Sequence, residues 1–121
     1  MLRPFLRHRR VADIFTEPAA STRLWIEQPF DLIHQGSHLS GIFDRVHITM
    51  NEGGRAISAI LYDFKSDQIE KDRDLAEIAA GYRSQMNFYV LALIGLLGLE
   101  RPQISSQLVL LHHGRIVNMD G

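Results

Sequence analysis

Three consecutive stretches in the first half of the chain combine polar residues with hydrophobic ones, many of them aromatic or β-branched, a composition typical of β-strands. The stretches are Arg23–Phe30, His38–Ile48 and Arg55–Phe64. The short segments HQGS and NEGG separate them, and both contain the glycine that tight turns favour. We therefore predict an antiparallel meander of three strands.

Apolar positions then recur every three and four residues from residue 75 onward, which predicts an α-helix. Asp74 is suited to cap its first turn, with Glu77 three residues later. Gly98 and Pro102 favour the end of this helix. Similar spacing predicts a shorter first helix over residues 4–16.

Two further β-like runs, Ser106–His112 and Arg115–Met119, follow the long helix and read as a hairpin or a bulged strand. The element order becomes α–β–β–β–α–β–β. This order predicts one α/β domain in which helices flank a mixed sheet.

The composition of the chain mainly excludes classes of protein and of chemical site. The chain has 121 residues, of which 45% are hydrophobic, enough for one domain with a buried core. A formal charge of −1 gives no overall basic signal, so contacts with nucleic acid must come from local clusters. The absence of cysteine excludes disulfides, zinc–thiolate sites and cysteine nucleophiles. The most apolar stretch, Leu91–Leu99, is too short to span a membrane, and we expect a cytoplasmic protein without a membrane partner.

Three carboxylates fall into register if HQGS and NEGG each contain a two-residue loop. Asp44 then faces Asp63, and Glu27 faces Asp44, with the Cβ atoms of facing residues about 5 Å apart. Such a row of like charges needs a counter-charge, and carboxylate oxygens suit Mg²⁺ or Mn²⁺. Lys65 points to the same face as Asp63 because strand side chains alternate. Apolar neighbours, among them Ile42, are expected to keep the row partly dry.

The long helix adds a second polar feature. Gln85 lies on its apolar stripe between Tyr82 and Tyr89, where an amide needs polar partners. Gln85 and Tyr89, four residues apart, can reach together over one end of the sheet. An alternative remains open, in which the aspartates are solvated strand-end residues paired with Arg45 or Lys65, and Gln85 lies at a helix edge.

Four short motifs combine these residues. They are Glu27-Gln-Pro-Phe30, Gly41-Ile-Phe-Asp44-Arg-Val, Asp63-Phe-Lys65-Ser and Tyr82-Arg-Ser-Gln85-Met-Asn-Phe-Tyr89. Their order resembles the E-x-P-F, G-x-x-D-R, D-Y-K-[ST] and Q-x-x-x-Y motifs of the RecB/AddA branch of the PD-(D/E)XK nucleases. The resemblance extends from about Trp25 to Leu93 and implies a restriction-endonuclease-like core.

The resemblance implies a role for each matching residue. Asp44, Asp63 and the backbone carbonyl of Phe64 would bind Mg²⁺ or Mn²⁺, and Lys65 would be the catalytic lysine. Gln85 and Tyr89 would form the family's helix motif near DNA and the site. The predicted row makes Glu27 a further candidate metal ligand.

The function implied by the resemblance is Mg²⁺-dependent DNA hydrolysis by a nuclease or exonuclease. Its setting would be a helicase–nuclease of double-strand break repair and recombination. Expected partners are DNA, helicase domains of the same parent chain and a partner helicase–nuclease subunit. The alternatives are an inactive nuclease-fold module that binds DNA or braces a helicase, and a small α/β interaction domain.

One departure concerns a metal-binding histidine that family members carry on a helix upstream of the E-x-P-F strand. Only His8 precedes Glu27, and its RHRR surroundings are typical of a solvated helix face. We therefore expect residues 1–121 to be a single nuclease domain truncated at its N-terminus, with weakened metal binding and activity. The sequence has no P-loop, so we expect no ATPase within it.

Overall fold

A computed structural model describes residues 21–66, 74–112 and 114–120 of the chain. Within these ranges one long helix accompanies a five-stranded sheet. The elements are β1 (Thr22–His34), β2 (Ser37–Met50), β3 (Ala56–Lys65), α1 (Leu75–Leu97), a 3-10 helix (Arg101–Gln103), β4 (Ile104–Leu110) and β5 (Arg115–Asn118). The helix predicted over residues 4–16, which includes His8, lies outside the described residues.

The strands are arranged in the order β1-β2-β3-β4-β5. The first three form an antiparallel meander, β4 lies parallel to β3, and β5 returns antiparallel to β4. Parallel neighbours need a crossover connection, and α1 lies in the segment that joins β3 to β4. The predicted fold class, an α/β protein with a meander in a mixed sheet, is confirmed, as is the final hairpin.

The first hairpin has the predicted two-residue loop. Gln35 and Gly36 connect the paired residues His34 and Ser37, and both loop residues have positive φ, 51° and 80°. This is the backbone that favours a right-twisted hairpin, and glycine adopts it without strain. The expected pairing of β1 with β2 follows, with Trp25 facing Val46.

The second hairpin differs from the two-residue loop that the pair Gly53-Gly54 predicted. Asn51 donates its N–H to the carbonyl oxygen of Arg55 at 2.8 Å, so three residues form the loop. Between the pairs Met50–Ala56 and Thr49–Ser58, β3 then carries Ile57 as an extra residue. The longer loop and this bulge offset each other, so the register towards the far end of the strands is the predicted one.

The long helix begins and ends where the sequence predicts. Asp74 caps it by accepting a hydrogen bond from the Ala76 N–H at 3.1 Å. Gly98 ends it in the left-handed conformation, with φ of 67°, and donates its N–H to the Ile94 carbonyl at 3.0 Å. No helix in the described ranges is long and apolar enough to cross a membrane.

The main core lies between α1 and one face of the sheet. Its largest fully buried side chains include Phe43, Ile48, Leu61, Met86, Leu93, Leu108 and Leu110. A smaller cluster surrounds Val109, and partly buried Tyr62, Phe64, Leu111 and Ile116 pack against it. Strand alternation places Val109 on the opposite face from Leu108 and Leu110.

The alternation of buried side chains along β2 shifts by one residue near Asp44. Leu39 and Phe43 are buried in the first half of the strand, whereas Val46 and Ile48 are buried in the second. The predicted place of Ile42 beside the carboxylate row is therefore wrong, because its side chain is 55% exposed while Phe43 is fully buried. The neighbouring strand is distorted at the same level, where Glu27 has a φ of 46°.

Candidate active site

Asp44 and Asp63 lie where β2 and β3 separate. The last paired residues at this end are Arg45 and Tyr62, so the next position on each strand is an aspartate. The backbone N–H of Phe64 donates to Asp44 Oδ2 at 2.8 Å, and the carboxylate thereby replaces a main-chain acceptor at the end of the ladder. Asp44 also lies close enough to Asp63 to raise the pKa of that carboxyl group. The predicted closeness of the two aspartates is thus present.

Asp63 is the buried acid of the pair, with 5% of the residue exposed. Its pKa is raised from 3.8 to about 6, first because burial disfavours the charged form and next because of the neighbouring Asp44. The Lys65 ammonium opposes this rise, with Nζ 3.2 Å from Asp63 Oδ2. That contact lacks hydrogen-bond geometry, and Oδ2 is buried without a hydrogen-bond partner in the described part of the chain.

Lys65 is held from three sides. Its Nζ donates to Gln85 Oε1 at 2.7 Å, lies 3.2 Å from Asp63 Oδ2, and stands 4.7 Å from the centre of the Tyr82 ring. The sequence predicted that Gln85 needs a polar partner on the apolar stripe of the helix, and Lys65 is that partner. Tyr82 was predicted only as part of the apolar stripe, although its spacing of three from Gln85 puts both residues on one side of α1.

Tyr89 closes the site from the helix. Burial raises the pKa of its phenol, and the charges of Asp63 and Asp44 raise it further. Its ring packs against Phe43 and Phe30, with ring centres 5.8 and 6.0 Å apart. These aromatic contacts couple the hairpin β1–β2 to α1 beside the acids.

Gly41 and Phe30 form a further support that the sequence analysis did not identify. A Cβ atom at Gly41 would lie 2.8 Å from Phe30 Cζ and 3.6 Å from Tyr89 Cε1, so only glycine allows the Phe30 ring to lie over β2. Phe30 in turn stacks on Phe43 with ring centres 4.3 Å apart. Both residues occur in the motifs, and the signal was a strand glycine paired with an aromatic residue.

Glu27 does not join the two aspartates in a metal-binding group. It is exposed, its φ is 46°, and the pairing of β1 with β2 passes over it. Across the residues that the structure describes, no three His, Cys, Asp or Glu side chains are arranged to hold a metal ion. The predicted row of three carboxylates is thus reduced to a pair.

The remaining pair nonetheless has the donor chemistry that a divalent cation needs. A buried carboxylate oxygen without a hydrogen-bond partner is costly, and a bound cation would relieve that cost. Asp44 supplies a second carboxylate in contact with the first. Hard oxygen donors of this kind suit Mg²⁺ or Mn²⁺. The side chains present therefore fit such an ion.

A family model described as the PD-(D/E)XK nuclease superfamily matches residues 1–117. This range includes Asp44, Asp63, Lys65, Gln85 and Tyr89. No curated protein matches the chain.

Proposed function

The chain belongs to the PD-(D/E)XK nuclease superfamily, and from this premise we propose that it hydrolyses the phosphodiester bonds of DNA with the help of Mg²⁺ or Mn²⁺. The mixed sheet and its helix are consistent with the restriction-endonuclease-like fold of that superfamily. The observation that carries the proposal is the buried Oδ2 of Asp63, which has no hydrogen-bond partner among the described residues and lies 3.2 Å from the Lys65 ammonium, beside Asp44.

The proposed metal ligands are the carboxylates of Asp44 and Asp63 and the backbone carbonyl of Phe64. When bound there, a divalent cation supplies Lewis acidity that polarises the phosphate and lowers the pKa of water. Burial and the neighbouring Asp44 raise the pKa of Asp63 to about 6, and a bound cation would favour the charged form of both carboxyl groups.

Lys65 is the proposed catalytic cation. Its ammonium stands between Asp63 and Gln85, where it can orient the attacking water or offset charge on the phosphoryl oxygens. Tyr89 has a raised pKa, so its phenol stays protonated at neutral pH and can donate a hydrogen bond to a phosphate oxygen. These roles require only the backbone of DNA, and we expect cleavage without sequence preference.

The cellular setting is the finer part of the proposal and rests on the four motifs. Their order resembles the RecB/AddA branch, which implies a nuclease domain joined to helicase domains in double-strand break repair and recombination. A partner helicase–nuclease subunit and a cytoplasmic location belong to the same expectation. The parent reading frame tests it: helicase motifs upstream of residue 1 support this setting, and an unrelated neighbour contradicts it.

A second candidate is a nuclease-fold module that binds DNA or braces a helicase without cutting. The exposed position of Glu27 favours it, because only two carboxylates remain to bind a metal in the described residues. This candidate predicts DNA binding that neither Mg²⁺ nor Mn²⁺ converts into cleavage.

The test of the proposed function is cleavage of DNA by the full chain, measured with Mg²⁺ and with Mn²⁺. Asp63→Ala and Lys65→Ala should each lower kcat at least about 100-fold, since each removes a group at the reacting phosphate. Glu52→Gln, in the exposed loop of the second hairpin, is the matched control and should cleave normally. Unchanged cleavage by both site variants would refute the proposal.

A further inference from the structure

A cleft on the other flank of α1 carries two arginines that the proposed reaction does not use. It has a volume of about 490 Å³ and lies between α1 and the beginning of β4. We propose that this cleft binds a phosphate of the DNA backbone at a distance from the bond that is cut. The inference rests on the proposed function, because it takes DNA as the substrate.

The cleft and the candidate active site lie on different sides of the helix. Arg83, Asn87 and Val90 line the cleft and follow one another at spacings of four and three, so they share one flank of α1. Gln85 is two residues from both Arg83 and Asn87, which places it about 160° around the helix from each. The helix, about 10 Å across, therefore separates the two sites.

The cationic groups of the cleft have no anionic partner in the described part of the chain. Arg83 and Arg101 are both exposed, and neither forms an ion pair with a described carboxylate. A guanidinium presents several N–H donors in a plane and binds phosphate oxygens in pairs. Two such groups with Asn87 beside them provide more donors than a single surface arginine does.

The carboxylate that also lines the cleft is engaged elsewhere. Asp120 accepts hydrogen bonds from the Ser106 N–H at 2.6 Å, the Ser106 hydroxyl at 3.1 Å and the Ser105 hydroxyl at 3.0 Å. These bonds turn it towards β4 instead of the arginines. With two guanidinium groups and one carboxylate, the lining keeps a positive balance.

A strand of nucleic acid fits this arrangement better than a free anion. The arginines are exposed to water, where one small ion gains little from them. A strand that already has one phosphate at the active site presents its other phosphates at a high effective concentration. The walls of the cleft also include Pro102 and Met119, whose apolar atoms can contact sugars or bases.

The test measures DNA binding by the full chain without cleavage, in EDTA, with labelled single-stranded and duplex oligonucleotides. We expect Arg83→Ala combined with Arg101→Ala to weaken binding about tenfold and to reduce the slope of log K against log salt by about 2. The matched control combines Arg23→Ala with Arg55→Ala, which removes the same charge from exposed positions that do not line the cleft. This control should change affinity less than twofold.

Each outcome decides the inference separately from the proposed function. If the cleft variant binds as the control does, with the same salt slope, the inference is overturned even when the wild-type chain cleaves DNA. If the cleft variant alone loses affinity, the inference stands even when the wild-type chain cleaves nothing. Competition by inorganic phosphate beyond that of chloride at equal ionic strength would overturn it in favour of a free-anion site.

Discussion

The strands β2 and β3 have an apolar half, which stabilises the fold, and an acidic end, which destabilises the fold and forms the candidate active site. In the apolar half, Val46 faces Leu61 and Ile48 faces Ala59, and all four side chains are buried. At the acidic end the pairing of β2 with β3 stops, and Asp63 is buried with an oxygen that has no hydrogen-bond partner among the described residues. One register thus produces both a packed core and an electrostatically unfavourable site.

The magnitudes explain how the acidic end is tolerated. Full burial of one leucine or isoleucine stabilises a fold by about 1.5–3 kcal/mol. A carboxyl group whose pKa rises from 3.8 to about 6 destabilises the ionised folded state by at most about 3 kcal/mol. One or two of the apolar side chains therefore offset the acid, which ties the existence of the site to the packing next to it.

The largest expected effect comes from the apolar half. Leu61→Ala should lower the free energy of unfolding by about 2–5 kcal/mol, because Leu61 is 1% exposed and its loss leaves a cavity. Ile57→Ala on the same strand is the control, since Ile57 is the exposed bulge residue and should cost less than about 1 kcal/mol. Urea unfolding measures both. Equal decreases in the free energy of unfolding for Leu61→Ala and Ile57→Ala would show that burial in the apolar half does not stabilise the fold.

The acidic end should respond in the opposite direction. Without metal, Asp63→Asn should raise the unfolding free energy at pH 7 by up to about 3 kcal/mol, because it removes the cost of a buried carboxylate. The folded chain holds a proton on Asp63 up to a pKa of about 6, whereas the unfolded chain loses it near 3.8. This contribution to stability is therefore complete below about pH 4 and disappears as the pH rises through 6.

Unfolding of the wild-type chain and of Asp63→Asn across pH 4 to 7 measures that contribution as the difference between them. Glu52→Gln is the matched control, since its exposed side chain should leave the pH dependence as in the wild-type chain. A difference that does not change between pH 4 and pH 7 would contradict the assigned cause.

The aromatic support between the two regions gives an intermediate effect. Gly41→Ala should cost about 1–3 kcal/mol, because the new Cβ would meet Phe30 Cζ at 2.8 Å. Gly81→Ala on α1 meets no atom within 4 Å and should instead stabilise the helix by about 1 kcal/mol. Thermal unfolding compares the two. A stabilising Gly41→Ala would show that Phe30 does not need this space.

The smallest expected effect concerns Tyr82. Tyr82→Leu should lower kcat about fivefold with KM unchanged, because it removes the ring face 4.7 Å from Lys65 Nζ. Tyr82→Phe keeps that face and should restore kcat. A loss of kcat in both variants would assign the effect to the hydroxyl group, and no loss in either would dismiss the contact.

The sequence predicts the sheet better than it predicts the details of the site. The spacing of apolar residues and the two capping residues were sufficient to predict the bounds of α1, because Asp74 and Gly98 act on neighbouring residues of the chain. The register was correct although the second loop was not, because Ile57 bulges and restores it. The shift of alternation between Phe43 and Val46 could not be read from either strand, because both of these side chains pack into one core with residues that are distant in the sequence.

Non-local contacts account for the rest. The cation–π contact of Lys65 with Tyr82 joins a strand to a helix, and the two arginines of the cleft come from separate elements. Neither pairing leaves a periodic signal in the sequence. Glu27 is a case in which the predicted register is not sufficient. The register predicts that Glu27 faces Asp44, but the Glu27 backbone has a φ of 46° and is not paired with β2.

Binding of Mn²⁺ to the full chain, measured by the electron paramagnetic resonance of the free ion, tests the central claim most directly. The account predicts that the wild-type chain binds Mn²⁺, that Asp44→Asn and Asp63→Asn each lose this binding, and that Glu27→Gln and Glu52→Gln retain it. Equal Mn²⁺ binding by the wild-type chain and Asp63→Asn, or none by either, would contradict a metal site built on these two aspartates.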